Sequence, residues 1–556
     1  MNFCRLLGLL SVLGWTAWAA PADPTAPRPA PRAPLMIHWL GLNRISADTN
    51  AAQFLSVWHL PQTTALVAQT LDKISRLPGH GATNAAAARL RPLLDDLLTN
   101  ECYLELFAST NPPSSIPHLP SPISPSAIHQ LSTFNYQLLA ALRLPPDRAR
   151  LWQTNLPSAL PSAQVSQSRD WTLIALGESA AAQLPAFTAR VSAFRNPHSA
   201  LSDSSSQSNV WLEADLDPSL LNVVAPQFFA ISHLPSAISS AGAAAPQLAI
   251  GNWQSEMSSI LNLPSSFTNL HLSFIGNAGA VHTRATLDFA QPLNLTLSPW
   301  EIPTNYIHAP LTCFTAVRGL APWLAALPAW TATGLLPPPD QAFVWAQVQA
   351  GGPFVTYFAF PLLSATNQLT RLAGRIMPHG NAWLATNAQG TVEWQSNQTA
   401  LVWHDAFIID PFLKPVTVNH HDYLLGGLIP FAEGNPNPMP PEMVRAVLDT
   451  TNLVYYSAEL TGSRIEDDFF IIQLIRVLFH QPQLPAAAPG TLWLKYMEPL
   501  IGPSTTVVTQ KAPAQLALSR VSTIGFTALE LHLLADWLES PQFPRGLHTF
   551  LAPPDK

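Results

Sequence analysis

Charged residues are scarce in this chain. Asp, Glu, Lys and Arg make up 11% of its 556 residues, against about a quarter in an average soluble protein. Only five residues are lysine, and neither a basic run nor an alternation of arginine with aromatic residues occurs. Nucleic-acid binding requires a concentrated positive surface, so a net charge of −7 without basic clusters argues against a nucleic-acid partner.

The usual enzyme motifs are absent as well. The sequence contains no G-x-S-x-G, no H-E-x-x-H, no phosphate-binding G-x-x-x-x-G-K-[ST], no C-x-x-C and no G-x-G-x-x-G after a strand. It therefore assigns no catalytic residue, no metal ligand and no cofactor. An enzyme is still possible, because catalytic triads are recognised by geometry and not by their order in the chain.

Cysteine is rare, with three residues in all. Cys4 lies within the first nineteen residues, whereas Cys102 and Cys313 lie in apolar runs that resemble strands. Two cysteines so far apart are not a disulfide framework. They are either two buried free thiols or one disulfide of an exported protein.

The first nineteen residues have the order of a secretory signal peptide. Arg5 precedes an apolar run from Leu6 to Trp18, and Ala17-Trp18-Ala19 supplies the small-x-small pattern, so cleavage is expected after Ala19. Arg28 and Arg32 favour the alternative of an uncleaved anchor. No other stretch is long and apolar enough to span a bilayer, so we expect no transmembrane segment after cleavage and a periplasmic or extracellular location.

The body of the chain is predicted to be α+β. Residues 20–34 form a proline-rich spacer, and residues 35–300 and 301–556 form two large halves, each with antiparallel sheet covered by helices. A duplication is indicated by two faint echoes. NVWLEADL at 209–216 resembles NLVYYSAEL at 452–460, and Phe314-Thr-Ala-Val resembles Phe526-Thr-Ala-Leu.

Hydrophobic periodicity predicts the individual elements. Strands are expected at 54–60, 102–108, 171–176, 209–216, 341–349, 353–360 and 453–460. A hairpin is expected at 269–289, where apolar and polar residues alternate, and another at 391–404. Helices are expected at 63–77, 127–144, 180–193, 218–230, 366–376 and 443–448, and residues 468–479 fit a buried helix or a strand.

One polar cluster has metal-ligand chemistry. Imidazole and carboxylate groups could share a divalent ion if the chain folded back on itself. Adjacent histidines in an extended chain point to opposite faces, however, so ordinary surface residues explain the cluster better. Its members are His404, Asp405, Asp410, His420, His421 and Asp422.

Three groups of carboxylates have structural interpretations, and the first of them also has a catalytic one. Glu466-Asp467-Asp468 could act in acid–base catalysis, but it precedes an apolar run and suits a helix N-terminus. Glu101 and Glu105 share a strand face and are expected to be solvated rather than paired. Asp95-Asp96 closes a helical stretch and is expected at the surface.

Tryptophan is frequent, with 17 residues. Exposed aromatic rings can stack on sugars, which suggests carbohydrate binding, and core packing explains the same residues. The tryptophans expected in strands are Trp58, Trp171, Trp211, Trp345, Trp394 and Trp403.

Both ends of the chain resemble large exported bacterial proteins of unknown function. The resemblance rests on residues 38–60, with Asp48-Thr49-Asn50-Ala51 followed by an expected strand and Pro61, and on FTALELHLLADWLESPQFP near the C-terminus. It implies export and repeated α+β modules, and no chemistry.

The leading functional hypothesis is a non-catalytic envelope protein that binds a partner protein or surface, because low charge and high apolar content suit extended contact. The alternatives are a hydrolase or metal-dependent enzyme of an unrecognised family, and a carbohydrate-binding protein. An enzyme requires a pocket in which polar groups converge, whereas a binding protein presents apolar surface.

The signal peptide makes a direct prediction. When the full chain is expressed in a bacterium with a secretory pathway, the exported protein should begin at Ala20, which intact-mass measurement would show. A protein that retains Met1–Ala19 would contradict cleavage and support the anchor.

Overall fold

The computed structural model describes residues 35–76, 84–108, 136–177, 180–193, 209–217, 267–348, 355–431, 437–480, 483–540 and 543. Within these ranges the chain forms 18 strands and 13 helices, and every strand pairing is antiparallel. The predicted α+β class with antiparallel sheet is confirmed.

The strands contain five to eleven residues each, as expected for globular sheets. Their bounds are β1 Leu35–Trp39, β2 Cys102–Ala108, β3 Tyr136–Leu142, β4 Ala163–Ser168, β5 Trp171–Leu176, β6 Asn209–Leu216, β7 Phe267–Asn277, β8 Ala280–Phe289, β9 Leu311–Arg318, β10 Gln341–Gln347, β11 Thr356–Pro361, β12 Thr391–Gln395, β13 Ala400–His404, β14 Phe412–Val418, β15 His421–Gly427, β16 Leu453–Leu460, β17 Pro503–Ala512 and β18 Gln515–Ser522.

The helices range from a single turn to 23 residues. Their bounds are α1 Leu42–Ile45, α2 Ala52–Trp58, α3 Pro61–Arg76, α4 Asn84–Thr99, α5 Pro146–Ala159, α6 Ala180–Ala193, α7 Ala321–Ala326, α8 Pro328–Thr333, α9 Ala365–Asn387, α10 Pro441–Leu448, α11 Thr461–Leu478, α12 Pro489–Met497 and α13 Ala528–Glu539. In the part of the chain that the structure describes, no helix is both long and apolar enough to cross a bilayer.

All 18 strands belong to one continuous sheet. The N-terminal strand set, β1–β8, is ordered β4-β5-β3-β2-β1-β6-β7-β8. The C-terminal strand set, β9–β18, is ordered β18-β17-β16-β9-β10-β11-β15-β14-β13-β12. The two sets meet where β8 pairs with β18.

The same strand order occurs in both sets. Without the hairpin β12–β13, the C-terminal set also contains eight strands, which can be numbered one to eight in chain order. Their order in the sheet is then 4-5-3-2-1-6-7-8, the same as that of β1–β8. The hairpin β12–β13 is an addition outside β14. The two similar segments at 209–216 and 453–460 are β6 and β16, which occupy matching places, whereas Phe314 lies in β9 and Phe526 precedes α13.

A helical layer also joins the two sets. Side chains of α2 and α3 share a buried core with α12 and α13. The indole of Trp493 donates a 3.0 Å hydrogen bond to Thr63 Oγ1, and Lys73 Nζ donates to the carbonyl of Leu538 at 2.7 Å. The first helices of the chain are therefore packed against its last ones.

The two faces of the sheet carry different cores. One face holds a core under α7–α9 and another under α4 and α5. The opposite face holds a core under α10 and another under α6. Between those last two, β7, β8 and β18 present polar side chains at the surface, among them His271, Arg284 and Ser519.

Most predicted elements are confirmed. The strands at 102–108, 171–176, 209–216, 341–349, 353–360 and 453–460 and both hairpins are present, some with shifted ends. The helices at 63–77, 180–193, 366–376 and 443–448 are present as α3, α6, α9 and α10. The helix expected at 218–230 lies outside the described residues.

The strand predicted at 54–60 is wrong, because this segment forms α2. The Asp48 carboxylate accepts a hydrogen bond from the Asn50 amide at 2.9 Å, and a 3-10 turn at Thr49–Ala51 leads into the helix. The β-favouring residues Phe54 and Val57 pack into cores on one side of that helix, so tertiary packing overrides their intrinsic preference.

The helix predicted at 127–144 is also wrong over its described part, where residues 136–142 form β3. β3 lies between β2 and β5, and Leu139–Leu142 are all buried. A strand covered on both faces shows no alternation, so its alanines and leucines resemble a helix. The ambiguous run at 468–479 belongs to α11, which begins seven residues earlier at Thr461.

Candidate functional site

The structure does not bring the six candidate metal ligands together. His404 ends β13, where Val402 pairs with Phe412, the first residue of β14. His421 pairs with Val418 at the other end of β14. Six residues of strand separate these ends, which corresponds to about 20 Å.

The members of that cluster instead lie beside different residues or are exposed. His404 Nδ1 lies 3.8 Å from Asp410, and His421 Nδ1 lies 3.2 Å from Glu301. Asp422 accepts a hydrogen bond from Thr417 in the same hairpin. Asp405 and His420 are exposed turn residues with positive φ. Over the described ranges, no three His, Cys, Asp or Glu side chains are placed to hold a metal ion.

Glu466-Asp467-Asp468 lies within α11 and not before it. Arg464 is bonded to Asp468 one turn later in the helix and lies 3.4 Å from Asp467. Asp467 also lies 3.4 Å from the hydroxyl of Thr312 on β9. The acidic run is therefore part of an ion-pair cluster at the base of α11, whereas Glu466 is exposed.

This cluster contains more acid than base. Burial raises the pKa of Asp467 to about 6, with Asp468 adding repulsion against the attraction of Arg464. Burial also raises the pKa of Glu459, on β16, to about 6. Glu459 accepts hydrogen bonds from the Ala528 amide and the Thr461 hydroxyl, so it fixes the start of α13. The arrangement is structural, since its polar atoms bond to one another.

Glu101, Glu105 and Asp96 are buried and paired, contrary to the sequence-based expectation. Glu105 accepts two hydrogen bonds from the guanidinium of Arg190, at 2.9 and 2.5 Å. Asp96 accepts from Arg148 and from the indole of Trp152. Arg148 and Arg190 lie 52 and 85 residues away from the carboxylates that they bind. Sequence alone could not reveal these pairs.

Glu101 is the centre of a third pairing. Its carboxylate lies 2.8 Å from Arg44, 3.2 Å from His38 and 3.5 Å from Arg143. Burial opposes ionisation of Glu101, but the hydrogen bond from His38 and the charge of Arg44 outweigh it and lower the pKa.

A shallow cleft lies on the polar side of the N-terminal strand set, between the sheet and α6. The empty space there is about 340 Å³, a volume that includes open solvent, so the cleft encloses little. Strands β2, β1 and β6 form its floor because Met36 pairs with both Glu105 and Asp215, which places all three on one face. Its polar lining consists of His38, Glu105, Arg190, Glu213 and Asp215.

His271 borders this cleft from β7. Its Nδ1 lies 2.9 Å from Asp215 and its Nε2 lies 3.7 Å from Glu213. The hydrogen bond to Asp215 raises the pKa of His271, burial opposes this, and the charges of Asp215, Glu213 and Asp288 add to the rise. The imidazole is thus held toward its charged form, in which both ring nitrogens donate.

Two exposed leucines lie near the N-terminus of α9. Leu336 and Leu363 are 62% and 71% exposed. The side chain of Gln368, itself buried, donates to the carbonyl of Leu336 at 2.7 Å and to that of Leu363 at 2.6 Å. It also accepts from the Leu336 amide at 2.8 Å. One buried amide therefore holds two separate loops side by side with a leucine exposed on each.

The six tryptophans considered for sugar stacking are not exposed platforms. Trp171, Trp211 and Trp345 are buried, and Trp58, Trp394 and Trp403 are partly buried. The indole of Trp211 donates to Asp48 at 2.8 Å, which ties the capped turn before α2 to β6.

Cys102 and Cys313 are free, buried thiols. Burial raises the pKa of Cys102 to about 12 and that of Cys313 to about 11. Both therefore stay protonated and unreactive at ordinary pH, since the thiolate is the nucleophile.

Comparison with known proteins assigns no family. No family model matches the chain, and no curated protein matches it. Two solved structures, crystal forms I and III of TP0453, are similar at 9% and 8% identity, covering 44% and 42% of this chain and 100% and 98% of theirs. Their TM-scores of 0.22 and 0.21 are too low to support any inference about fold or function.

The raised pKa of His271 predicts a pH-dependent contribution to stability. Because the folded-state pKa lies above the ordinary 6.5, the stabilisation is fully present below that pH and is lost as pH rises through the folded-state value. Replacing His271 by glutamine should therefore lower the free energy of unfolding more at about pH 5.5 than at about pH 9, as measured by urea titration. His59→Gln, at an exposed position, serves as the control. An equal loss for His271→Gln at both pH values would contradict the pairing.

Proposed function

We propose that the chain is an exported, non-catalytic binding protein that contacts an envelope partner through the apolar surface of Leu336 and Leu363. The observation that carries this proposal is the Gln368 clamp described above. Single exposed leucines are common and require no explanation. Here the backbones of two leucines are fixed next to each other by one buried amide, which donates two hydrogen bonds and accepts a third.

Rigidity is what makes this surface suitable for binding. A loop that is already held in its bound conformation loses little conformational entropy on association. Burying a leucine contributes about 1.5–3 kcal/mol, so two can supply several kcal/mol to a complex. The surface therefore supports specific contact and not only general stickiness.

The polar clusters also favour a binding protein over a hydrolase. In a hydrolase, His271 would act as base and Asp215 as the group that orients it. No hydroxyl or thiol is bonded to His271 among the described residues, and two carboxylates of the cleft are already paired, Glu105 with Arg190 and Asp215 with His271. The buried or partly buried tryptophans likewise give little support to sugar binding.

Export and internal duplication belong to the same proposal. The N-terminal sequence supports secretion, and the matching strand orders support descent from a duplicated eight-strand unit. The boundary between residues 300 and 301 falls between β8 and β9, where such a duplication would join its two copies.

Photo-crosslinking tests the binding surface. A photoreactive amino acid placed at position 363 of the full chain in its native envelope should capture a partner that the same group at Leu448, 54% exposed on α10, does not. With that partner purified, the double variant Leu336→Ser/Leu363→Ser should weaken Kd by roughly 100-fold. Gln368→Ala, which keeps both leucines and removes the clamp, should weaken it by about tenfold.

Leu448→Ser is the matched control for the binding measurement and should leave Kd unchanged. Identical crosslinks at positions 363 and 448, or a double variant that binds like the wild type, would contradict the proposed surface. A weakened control would show that general apolarity drives the association.

A further inference from the structure

Strand β4 lies at one edge of the 18-stranded sheet. It pairs with β5 on one side, and no described residue pairs with its other side. Ser168 and Trp171 close a two-residue hairpin, so Ser168, Ser166 and Gln164 direct their backbone groups toward β5. The amides and carbonyls of Val165 and Gln167 consequently point outward.

Among the described residues, β4 lacks the features that usually protect an edge strand. Natural sheets block their edges with charged residues, proline, bulges or covering segments. β4 has the sequence AQVSQS, without charge or proline, and its register with β5 is free of bulges. Gln164, Ser166 and Gln167 are exposed.

The opposite edge of the sheet is protected. There, the side chain of Asn381 on α9 accepts from the Val392 amide at 2.7 Å and donates to the Val392 carbonyl at 2.8 Å. These contacts occupy both outward backbone groups of Val392, the second residue of the five-residue strand β12. The two edges of the sheet therefore differ in their capacity to add a strand.

The two matching strand orders have four terminal strands, namely β4 and β8 in the first and β14 and β18 in the second. Of these, β4 differs from the other three. β8 and β18, at one end of each order, pair with each other. β14, which holds the place of β4 in the C-terminal set, pairs with β13 of the additional hairpin. Only β4 ends its order without a strand beside it among the described residues.

We propose that β4 pairs antiparallel with β4 of a second copy of this chain, forming a two-fold symmetric dimer with a sheet continuous across both copies. An antiparallel pair of identical strands is self-complementary, as a two-fold interface requires. The β8–β18 junction already joins strands of equal rank in this manner within one chain. Association stops at two copies because the β12 edge is blocked.

The outward groups define the register. Val165 of each copy would face Gln167 of the other, exchanging both hydrogen bonds, so the pairs on either side of the axis provide four. Ser166 lies on the axis and faces Ser166 of the second copy. No like charges are opposed within the strand, which favours self-pairing over recruitment of a charged foreign peptide. A contact of this size suggests a Kd on the order of micromolar.

Charge substitution at Ser166 tests both the partner and the register. The full mature chain should sediment with twice the mass of one copy at concentrations of roughly 100 μM. Ser166→Lys and Ser166→Glu each place like charges on the axis and should raise Kd by at least about tenfold. An equimolar mixture of the two variants should restore a dimer, because lysine then faces glutamate. Position 166 is exposed, so both variants should keep the circular dichroism of the wild type.

Glu393→Lys on the blocked strand β12 is the control and should leave the dimer intact. A wild type that remains monomeric at several hundred micromolar would overturn the proposal. So would a dimer insensitive to either charge at Ser166, or two monomeric variants whose mixture does not associate. The result is independent of the Leu336–Leu363 surface, which lies in the other strand set.

Discussion

The antiparallel ladder between β8 and β18 is the interaction on which the architecture depends. It pairs Val281–Asp288 with Ser522–Gln515 over eight positions, far apart in sequence. Leu287 and Leu516 face each other in it and belong to one buried core that continues into the C-terminal strand set. Without this ladder the sheet would divide into two pieces, each with an additional bare edge.

The distribution of charge follows from that continuous sheet. A large buried surface leaves few places where an ionised group can be solvated, so buried acids require partners. Glu105 with Arg190, Asp96 with Arg148, and Asp468 with Arg464 satisfy this requirement. The first pair thus holds α6 to β2 and the second holds α4 to α5, whereas the third lies within α11. In the proposals above, exposed leucines and the edge of β4 are the features that contact partners.

The sequence predicted best those elements that have one face in water. The β7–β8 hairpin, for example, shows alternation because one of its sides is polar. β3 was wrongly predicted to be helical because both of its faces are buried. The strand at 54–60 misled because β-favouring residues were given more weight than the Asp48 cap. β1, β4, β14, β15, β17 and β18 had not been predicted.

The proposed binding surface and the ion pairs join residues that are far apart in the sequence. Gln368 lies 32 residues from Leu336, and no pattern relates them. The partners of Glu105 and Asp96 are likewise distant, and strand order emerges only from pairing. Hydrophobic periodicity correctly indicated the α+β architecture, whereas the site residues could be identified only from the structure.

Hydrogen–deuterium exchange followed by mass spectrometry tests the central claim directly. If β8 and β18 join the two strand sets into one unit, the amides of residues 281–288 and 515–522 should exchange as slowly as those of the interior strands β9 and β16, through global unfolding. Rapid exchange at β8 and β18, with β9 and β16 still protected, would contradict the account and show two independent bodies.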